Sequence, residues 1–334
     1  MVRSIELFSG TGGLALGLHQ AGFSQEALLD WDKDSCDNIK ANITEGHNGI
    51  TDWNVVQIDV RFAHYSDYGS DIQFVTGGPP CQPFSLGGRH KAHTDARDMF
   101  PEVVRAIREL RPQGFIFENV KGLLRKSFSS YFNYILLQLS HPEVMINGLM
   151  GWMEHLRRLE EYHTSSSERG LEYNVVFRLL NAADYGVPQQ RHRVLIVGFR
   201  NDLNIQWSFP EPTHSKEALI YAKHGDASYW EDHRIAKKNR PKPIEQEKRA
   251  IQMVDKTILG KRWQTVRDAI LGLPDPKNDE ESKFANHEFR DGARPYAGHS
   301  GSVLDEPSKT IKAGVRGYRH SLTAICSTVL GQKA

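Results

Sequence analysis

The chain has 334 residues, 39% of them hydrophobic and 25% charged, with a formal net charge of +1. That is the composition of a globular chain large enough for one big domain or two ordinary ones. It excludes a membrane span, since no apolar run approaches ~20 residues, and its three cysteines, Cys36, Cys81 and Cys326, are too scattered for a disulfide framework or a metal-ligand spacing.

The N-terminus, MVRSIELFSG, passes directly into a strand-like run and carries none of the regions of a signal peptide, so a cytoplasmic location is expected. Ser4–Phe8 reads as a short apolar strand. It breaks at a glycine turn and resumes as a helix through Leu14, Leu16 and Leu18 that ends at Gly22, a residue suited to a helix C-terminus. A second strand, Glu26–Leu29, ends in Asp30-Trp31-Asp32, and a helix follows through Cys36, Ile39 and Ala41. A third strand over 54–60 contains Asp59, and a fourth over 71–78 leads into GGPPCQPFS, which places one cysteine among three prolines and two glycines.

The spacing of Val103, Val104, Ile107 and Leu110 predicts an amphipathic helix over 100–110, stopped by Pro112. GFIFENV, 114–120, is the next strand. Residues 127–163 read as largely helical, with a break at Gly148 and Gly151, and strands are predicted over 173–182 and 193–200. Strands alternating with helices imply a parallel sheet covered on both faces, with ligands beyond the C-terminal ends of its strands. Ser9–Gly13, Asp30, Asp59, Cys81 and Glu118 are all predicted at those ends. After Arg200 prolines recur and periodicity fades, which places a domain boundary near residue 205. Ten Lys and Arg residues lie between His233 and Trp263 against three acids, a candidate nucleic-acid-facing surface.

The turn FSGTGGLALGL fits a nucleotide fingerprint, with Asp30 standing 20 positions after Gly10 to accept ribose hydroxyls. The same physics serves any adenosine cofactor, so the turn alone leaves a nicotinamide dinucleotide and S-adenosylmethionine both open. Asp59 offers an acceptor for an adenine amino group. Prolines hold Cys81 in place, as a nucleophile requires, and Arg97, Arg191 and Arg193 are candidates for the positive charge that favours a thiolate. Glu118 is suited to handle a proton at a ring nitrogen, while Arg191 and Arg193 alternate along a strand and so share a face.

LFSGTGG, GGPPCQPFS, ENV and QQRHR, in that order and spacing, resemble the motifs of the cytosine-C5 DNA methyltransferase family of the prokaryotic restriction–modification type. The likeness covers about residues 4–200, together with RWQTVRDAILGLP (262–274) and KTIKAG (309–314). It implies a Rossmann-like S-adenosylmethionine-dependent sheet over 1–204, with helices on both faces, and a smaller irregular target-recognition domain over 205–334. It implies S-adenosyl-L-methionine as donor, S-adenosylhomocysteine as product, and double-stranded DNA as partner. Phe8, Gly10, Thr11, Gly12, Gly13, Asp30, Trp31, Asp59, Val60 and Pro80 are implied to line the cofactor site, with either Met99 or Phe100 beside them. Cys81, Glu118, Arg191 and Arg193 are implied to be catalytic, with Cys81 forming a covalent bond to C6 of a flipped-out cytosine. Gln82, Ser85, Arg89, Arg97 and Gln189 are implied to contact DNA, and residues 82–98 to form a closing loop. No metal is implied.

The family's closing segment, with its Gly-Asn pair, has no counterpart in KTIKAGVRGYRHSLTAICSTVLGQKA. A second polypeptide supplying it, or a role as an inactive or partner-dependent DNA-binding subunit, is therefore an alternative expectation. A tRNA cytosine methyltransferase, whose motifs are similar, is another. A cognate restriction endonuclease is an expected partner.

Overall fold

Ile5 and Leu7 point to one face of strand β1 (Val2–Leu7) and Ser4 and Glu6 to the other, and all four are buried. A strand covered on both faces belongs in the middle of a layered α/β sheet. The computed structural model describes residues 1–46, 49–69, 71–80, 98–147, 150–165, 170–253, 259–274 and 302–310. They form two compact units, one of Met1–Leu179 with Arg193–Phe209, the other of Leu180–His192 with Pro210–Ala334.

The first unit is a seven-stranded sheet. After β1 come α1 (Gly13–Gln20), β2 (Phe23–Asp30), α2 (Lys33–Thr44), β3 (Val55–Gln57), β4 (Phe74–Gly77), α3 (Phe100–Leu110) and β5 (Gly114–Val120). Then follow α4 (Ser129–Ser140), α5 (Trp152–Thr164), β6 (Tyr173–Asn181) and β8 (His192–Arg200), while the two-residue β7 (Gln189–Gln190) between β6 and β8 belongs to the second unit. The sheet order is β3-β2-β1-β4-β5-β8-β6. Four neighbouring pairs, β1–β2, β2–β3, β1–β4 and β4–β5, are parallel. Strand β8 runs antiparallel to β5, so the sheet is mostly rather than wholly parallel. The physical reason is the short link between β6 and β8, which cannot hold a crossover helix.

Two apolar layers cover the sheet. On one face Ile5, Leu7, Val75, Phe115 and Phe117 meet Val103, Ile107 and Ile135. On the other, Leu28 meets Ala15 of α1 and Ile39 of α2, with Ile50 and Trp53. The helices α4 and α5 separate where His141-Pro142 ends α4, since proline disfavours helix in the residue before it. Strand β3 is shorter than expected because Asp59 caps a 3₁₀ turn at Val60–Phe62.

The second unit is mostly irregular. A small core of Ala183, Leu219, Ala222, Tyr229, Trp230 and Trp263 holds α6 (Lys216–His224) and α7 (Ser228–Asp232). Strand β9 (His214–Ser215) comes before them, and α8 (Glu245–Met253), β10 (Lys261–Arg262), α9 (Val266–Ile270) and β11 (Ser308–Lys309) follow. Strand β11 pairs with β7, and Lys223 Nζ reaches Glu306 at 2.6 Å. Among the described residues no helix is long and apolar enough to cross a membrane.

Candidate active site

The chain leaves β1 through Phe8 and Gly10, both at positive φ (56° and 53°), and turns again at Gly12. Gly12 has φ 82°, and a Cβ there would lie 3.3 Å from Ile39 Cγ1, so glycine is needed for conformation and for space. The Gly10 amide donates to Asp30 Oδ2 at 2.7 Å, while Asp30 Oδ1 accepts from the Asp32 amide at 2.9 Å. Asp30 is 8% exposed, so its carboxylate acts first as a clasp between the glycine turn and the end of β2. Asp32 caps α2 through the Ser35 amide at 2.8 Å. Between the two acids, Trp31 is 74% exposed, unusual for an indole. Thr11 and Gly13 are exposed on the turn.

Asp59 binds its own neighbour. Its oxygens accept from the Arg61 backbone amide and Nε, both at 3.0 Å, and from Nη2 at 2.5 Å. The Arg61 hydrogen bonds hold the Asp59 carboxyl below the usual carboxylate range. Val60, beside it, is buried.

Strand β4 ends at Gly77, where a Cβ would meet the Leu7 carbonyl oxygen at 2.3 Å. Pro79 and Pro80 follow, and Asn119 at the end of β5 donates its side-chain N–H to the Pro79 carbonyl at 3.1 Å. That bond ties the proline arm to the strand bearing Glu118. Across β5 and β8 the register pairs Val120 with Arg193 and Glu118 with Leu195, which puts Glu118 and Arg193 on one face. Arg193 Nε donates to Glu118 Oε1 at 2.6 Å, with the side chains 24% and 27% exposed. Cys81, Gln82, Ser85, Arg89, Arg97 and the loop 82–98 as far as Arg97 lie outside the described residues.

Met99 is half-buried at the start of α3, whereas Phe100 is fully buried in the core. Gln189 and Arg191 belong to the second unit. There the Arg191 amide donates to Asn181 Oδ1 at 3.1 Å, and the Gln189 amide to the Val187 carbonyl at 2.7 Å. The Thr310 hydroxyl donates to the Gln190 carbonyl at 2.8 Å, joining the sequence motifs QQRHR and KTIKAG.

Three residues given no individual role from sequence also lie at this end of the sheet. Ser9 is 6% exposed, and its hydroxyl has no hydrogen-bond partner among the described residues. Asn119 is the latch just described. Glu6 is 1% exposed, and burial pushes its carboxyl up to about 8. The Ser in LFSG and the Asn in ENV were visible as motif members. Glu6 gave no signal, because an acid in alternation with Ile5 and Leu7 reads as a solvent-facing strand residue.

A family model described as C-5 cytosine-specific DNA methylase matches residues 2–142 and 153–303. Type II methyltransferase M.NgoMIV of Neisseria gonorrhoeae is 35% identical over 217 residues, 65% of this chain and 58% of that protein. Type II methyltransferase M.AquIA of a Picosynechococcus strain is 36% identical over 213 residues, 64% of this chain and 77% of that protein. Type II methyltransferase M.PspPI of a Psychrobacter strain is 32% identical over 219 residues, 65% and 44% respectively. The chain thus spans less than two thirds of M.NgoMIV and of M.PspPI. The family model reaches through most of both units, and on that extent the chain belongs to the C-5 cytosine-specific DNA methylase family.

Proposed function

We propose that this chain methylates C5 of cytosine in a specific duplex DNA sequence, with S-adenosyl-L-methionine as donor. The observation that carries the reading is the Glu118–Arg193 pair at 2.6 Å, on the strand latched by Asn119 to the Pro79-Pro80 arm that runs into Cys81. An acid and a guanidinium, together with a thiol that follows two prolines in sequence, suit attack on a pyrimidine ring.

The residues present fit the donor. The glycine turn has positive-φ backbone at Gly10 and Gly12, the buried Ser9 hydroxyl has no partner among the described residues, and Trp31 stands exposed beside Asp30. In this reading Phe8, Gly10, Thr11, Gly12, Gly13, Val60 and Pro80 line the cofactor site, Trp31 packs on adenine, and Asp30 receives the ribose. Asp59 shares its carboxylate between Arg61 and the adenine amino group. Met99 is favoured over Phe100 as the α3 contact, because Phe100 is committed to the core. When bound, S-adenosylmethionine supplies an electrophilic methyl group.

The chain's own residues perform the rest. The Cys81 thiolate forms a bond to C6, and the C5–C6 π electrons move toward C5 and N3. Glu118 manages the proton at N3, held in orientation by Arg193, whose guanidinium with Arg191 favours negative charge at O2. C5 gains the methyl group. Loss of the C5 proton then restores the double bond and expels the Cys81 sulfur. The target atoms are shielded within a duplex, so the base must leave the stack. Gln82, Ser85, Arg89, Arg97 and Gln189 are assigned to DNA contact. Exposed Arg234, Lys237, Lys238, Lys242 and Arg249 in the second unit suit it to phosphate contact and target recognition.

The test is transfer of labelled methyl groups to genomic duplex DNA, followed by mapping of modified bases. Label at cytosine C5 in one sequence context, lost in Cys81→Ser, is expected. Label only on tRNA would replace this reading with an RNA substrate.

A further inference from the structure

Two of the sequence stretches singled out above, RWQTVRDAILGLP and KTIKAG, have no part in the proposed chemistry. The second unit brings them together. Helix α9 begins at Val266, and the N–H groups of its first turn have no acceptor within the helix. The Thr265 side chain takes that of Asp268, in a capping box. Two more go to a distant part of the chain. Val266 N–H donates to the Glu306 carbonyl at 3.0 Å, and Arg267 N–H to the Leu304 carbonyl at 2.8 Å. Side chains fix the same contact. Arg267 grips Asp305 through Nε at 2.6 Å and Nη2 at 3.2 Å, and the buried Tyr229 hydroxyl donates to the same carboxylate at 2.9 Å. Lys223, 6% exposed, places Nζ 2.6 Å from Glu306 Oε1 and 5.6 Å from the centre of the Tyr229 ring. Breaking such a pair leaves an uncompensated buried ammonium, so residues 304–306 are committed to this site.

Immediately afterwards the chain meets the stretch QQRHR. Pro307 is buried and fixes φ between the two contacts. Ser308 N–H donates to the Pro188 carbonyl at 2.8 Å, and β11 pairs in parallel with β7, Ser308 opposite Gln189 and Lys309 opposite Gln190. The Thr310 hydroxyl donates to the Gln190 carbonyl at 2.8 Å. A two-residue pairing is marginal by itself, and the ion pairs at 304–306 are what hold this one in place. Arg191 follows β7 directly. Its N–H donates to Asn181 Oδ1 at 3.1 Å, and its carbonyl accepts from Ala182 N–H at 3.0 Å. The backbone carrying Gln189 and Arg191 is thus held by Asn181 and Ala182 on the one hand and by residues 308–310 on the other.

We propose that residues 304–310 are a positioning strap. Glu306 and Asp305 fasten it to the core of the second unit, and Ser308 and Thr310 hold β7, so that Gln189 and Arg191 keep the setting that attack on the base requires. This rests on the roles given above to Gln189 and Arg191. Glu306 and Thr310 are positioning residues, acting through β7. A small displacement of a guanidinium that favours charge at O2 slows the chemical step, and it leaves the cofactor site on the first unit unchanged.

The experiment is single-turnover methyl transfer from S-adenosylmethionine to duplex DNA at saturating concentrations of the whole chain, where the rate constant is independent of the folded fraction. It is paired with S-adenosylhomocysteine titration and with hydrogen exchange at the Arg191 amide, which bonds to Asn181 and not to the strap. Thr310→Val removes the hydroxyl and keeps the shape. Its rate constant is expected to fall about tenfold, with S-adenosylhomocysteine affinity within about twofold of wild type. Thr310→Ser returns the hydroxyl and brings the rate back to within about twofold. Glu306→Ala, at the far end of the strap, slows transfer by at least as much as Thr310→Val. A wild-type rate in either Thr310→Val or Glu306→Ala, a Thr310→Ser as slow as Thr310→Val, or a parallel loss of S-adenosylhomocysteine affinity overturns the proposal. If Glu306→Ala does not fold, the two Thr310 variants decide. If the wild-type chain transfers no methyl group to duplex DNA, the methyltransferase reading fails by itself. Exchange then decides on the strap: Arg191 amide exchange about tenfold faster in Thr310→Val but not in Thr310→Ser supports it, and equal exchange in all three proteins removes it.

Discussion

Gly10 donates its backbone N–H to Asp30 Oδ2 at 2.7 Å, so the turn after β1 is fastened to the end of β2 before any ligand arrives. The sequence spacing of 20 residues between the two has a structural cause as well as a chemical one. The acid expected to receive ribose also stabilises the turn expected to hold the rest of the cofactor.

Asp30→Ala removes the acceptor for two backbone N–H groups, those of Gly10 and Asp32. The expected loss of stability is about 1–3 kcal/mol, from two part-buried donors that lose their carboxylate acceptor. Asp30→Asn keeps one acceptor and loses about half of that. Denaturant unfolding of the three proteins checks the order.

Gly77 and Gly78 make an internal control for the arm that leads to Cys81. A Cβ at Gly77 meets the Leu7 carbonyl at 2.3 Å, while one at Gly78 has only the Glu118 carbonyl at 3.9 Å. Gly77→Ala is expected to cost about 1–3 kcal/mol through forced backbone displacement. Gly78→Ala changes stability by less than about 0.5 kcal/mol. Equal effects in thermal unfolding would contradict the packing at the end of β4.

The pH dependence of stability follows from Glu6. Its carboxyl releases a proton near 4.5 in the unfolded chain and at about 8 in the native sheet. Between those values the native state holds more protons, so stability falls as pH rises through the window and levels off above it. Glu6→Gln removes this slope. Its stability relative to wild type is expected to rise from about pH 4.5 to 8, measured by denaturant unfolding at each pH. A constant difference would mean that Glu6 is ionised in the native sheet.

Trp31 is exposed and contributes little to folding. Trp31→Ala is expected to leave the unfolding midpoint unchanged and to weaken S-adenosylhomocysteine binding by about tenfold, the loss of one aromatic packing surface. Quenching of Trp31 fluorescence in the parent chain gives a second measure of the same contact.

The helix at 100–110 and the strand at 114–120 were legible to the residue, because apolar spacing and Pro112 punctuate them strongly. The reversal of β8 was not. Its pattern Val194, Ile196, Val197 is that of any buried strand, and direction is set by the short link before it. The helical break starts earlier than expected, at His141-Pro142, and ends at the expected Gly151, which precedes α5. At the site, the glycine turn, Asp30 and Glu118 could be read from motifs. That Asp59 is occupied by Arg61 could not, since a two-residue ion pair has no periodic signature. Nor could the Asn119 latch, which links segments 40 positions apart.

The central claim is the proposed covalent catalysis by Cys81, assisted by Glu118 and Arg193. The most direct measurement is trapping on duplex DNA carrying 5-fluorocytosine at the mapped target base, in the presence of S-adenosylmethionine. Fluorine at C5 blocks the final elimination, so the sulfur–C6 bond persists. A denaturation-resistant one-to-one adduct through Cys81, absent in Cys81→Ser and formed much more slowly in Glu118→Gln, is the predicted result. An adduct-free reaction that still methylates the duplex, or an adduct through another residue, would contradict the account.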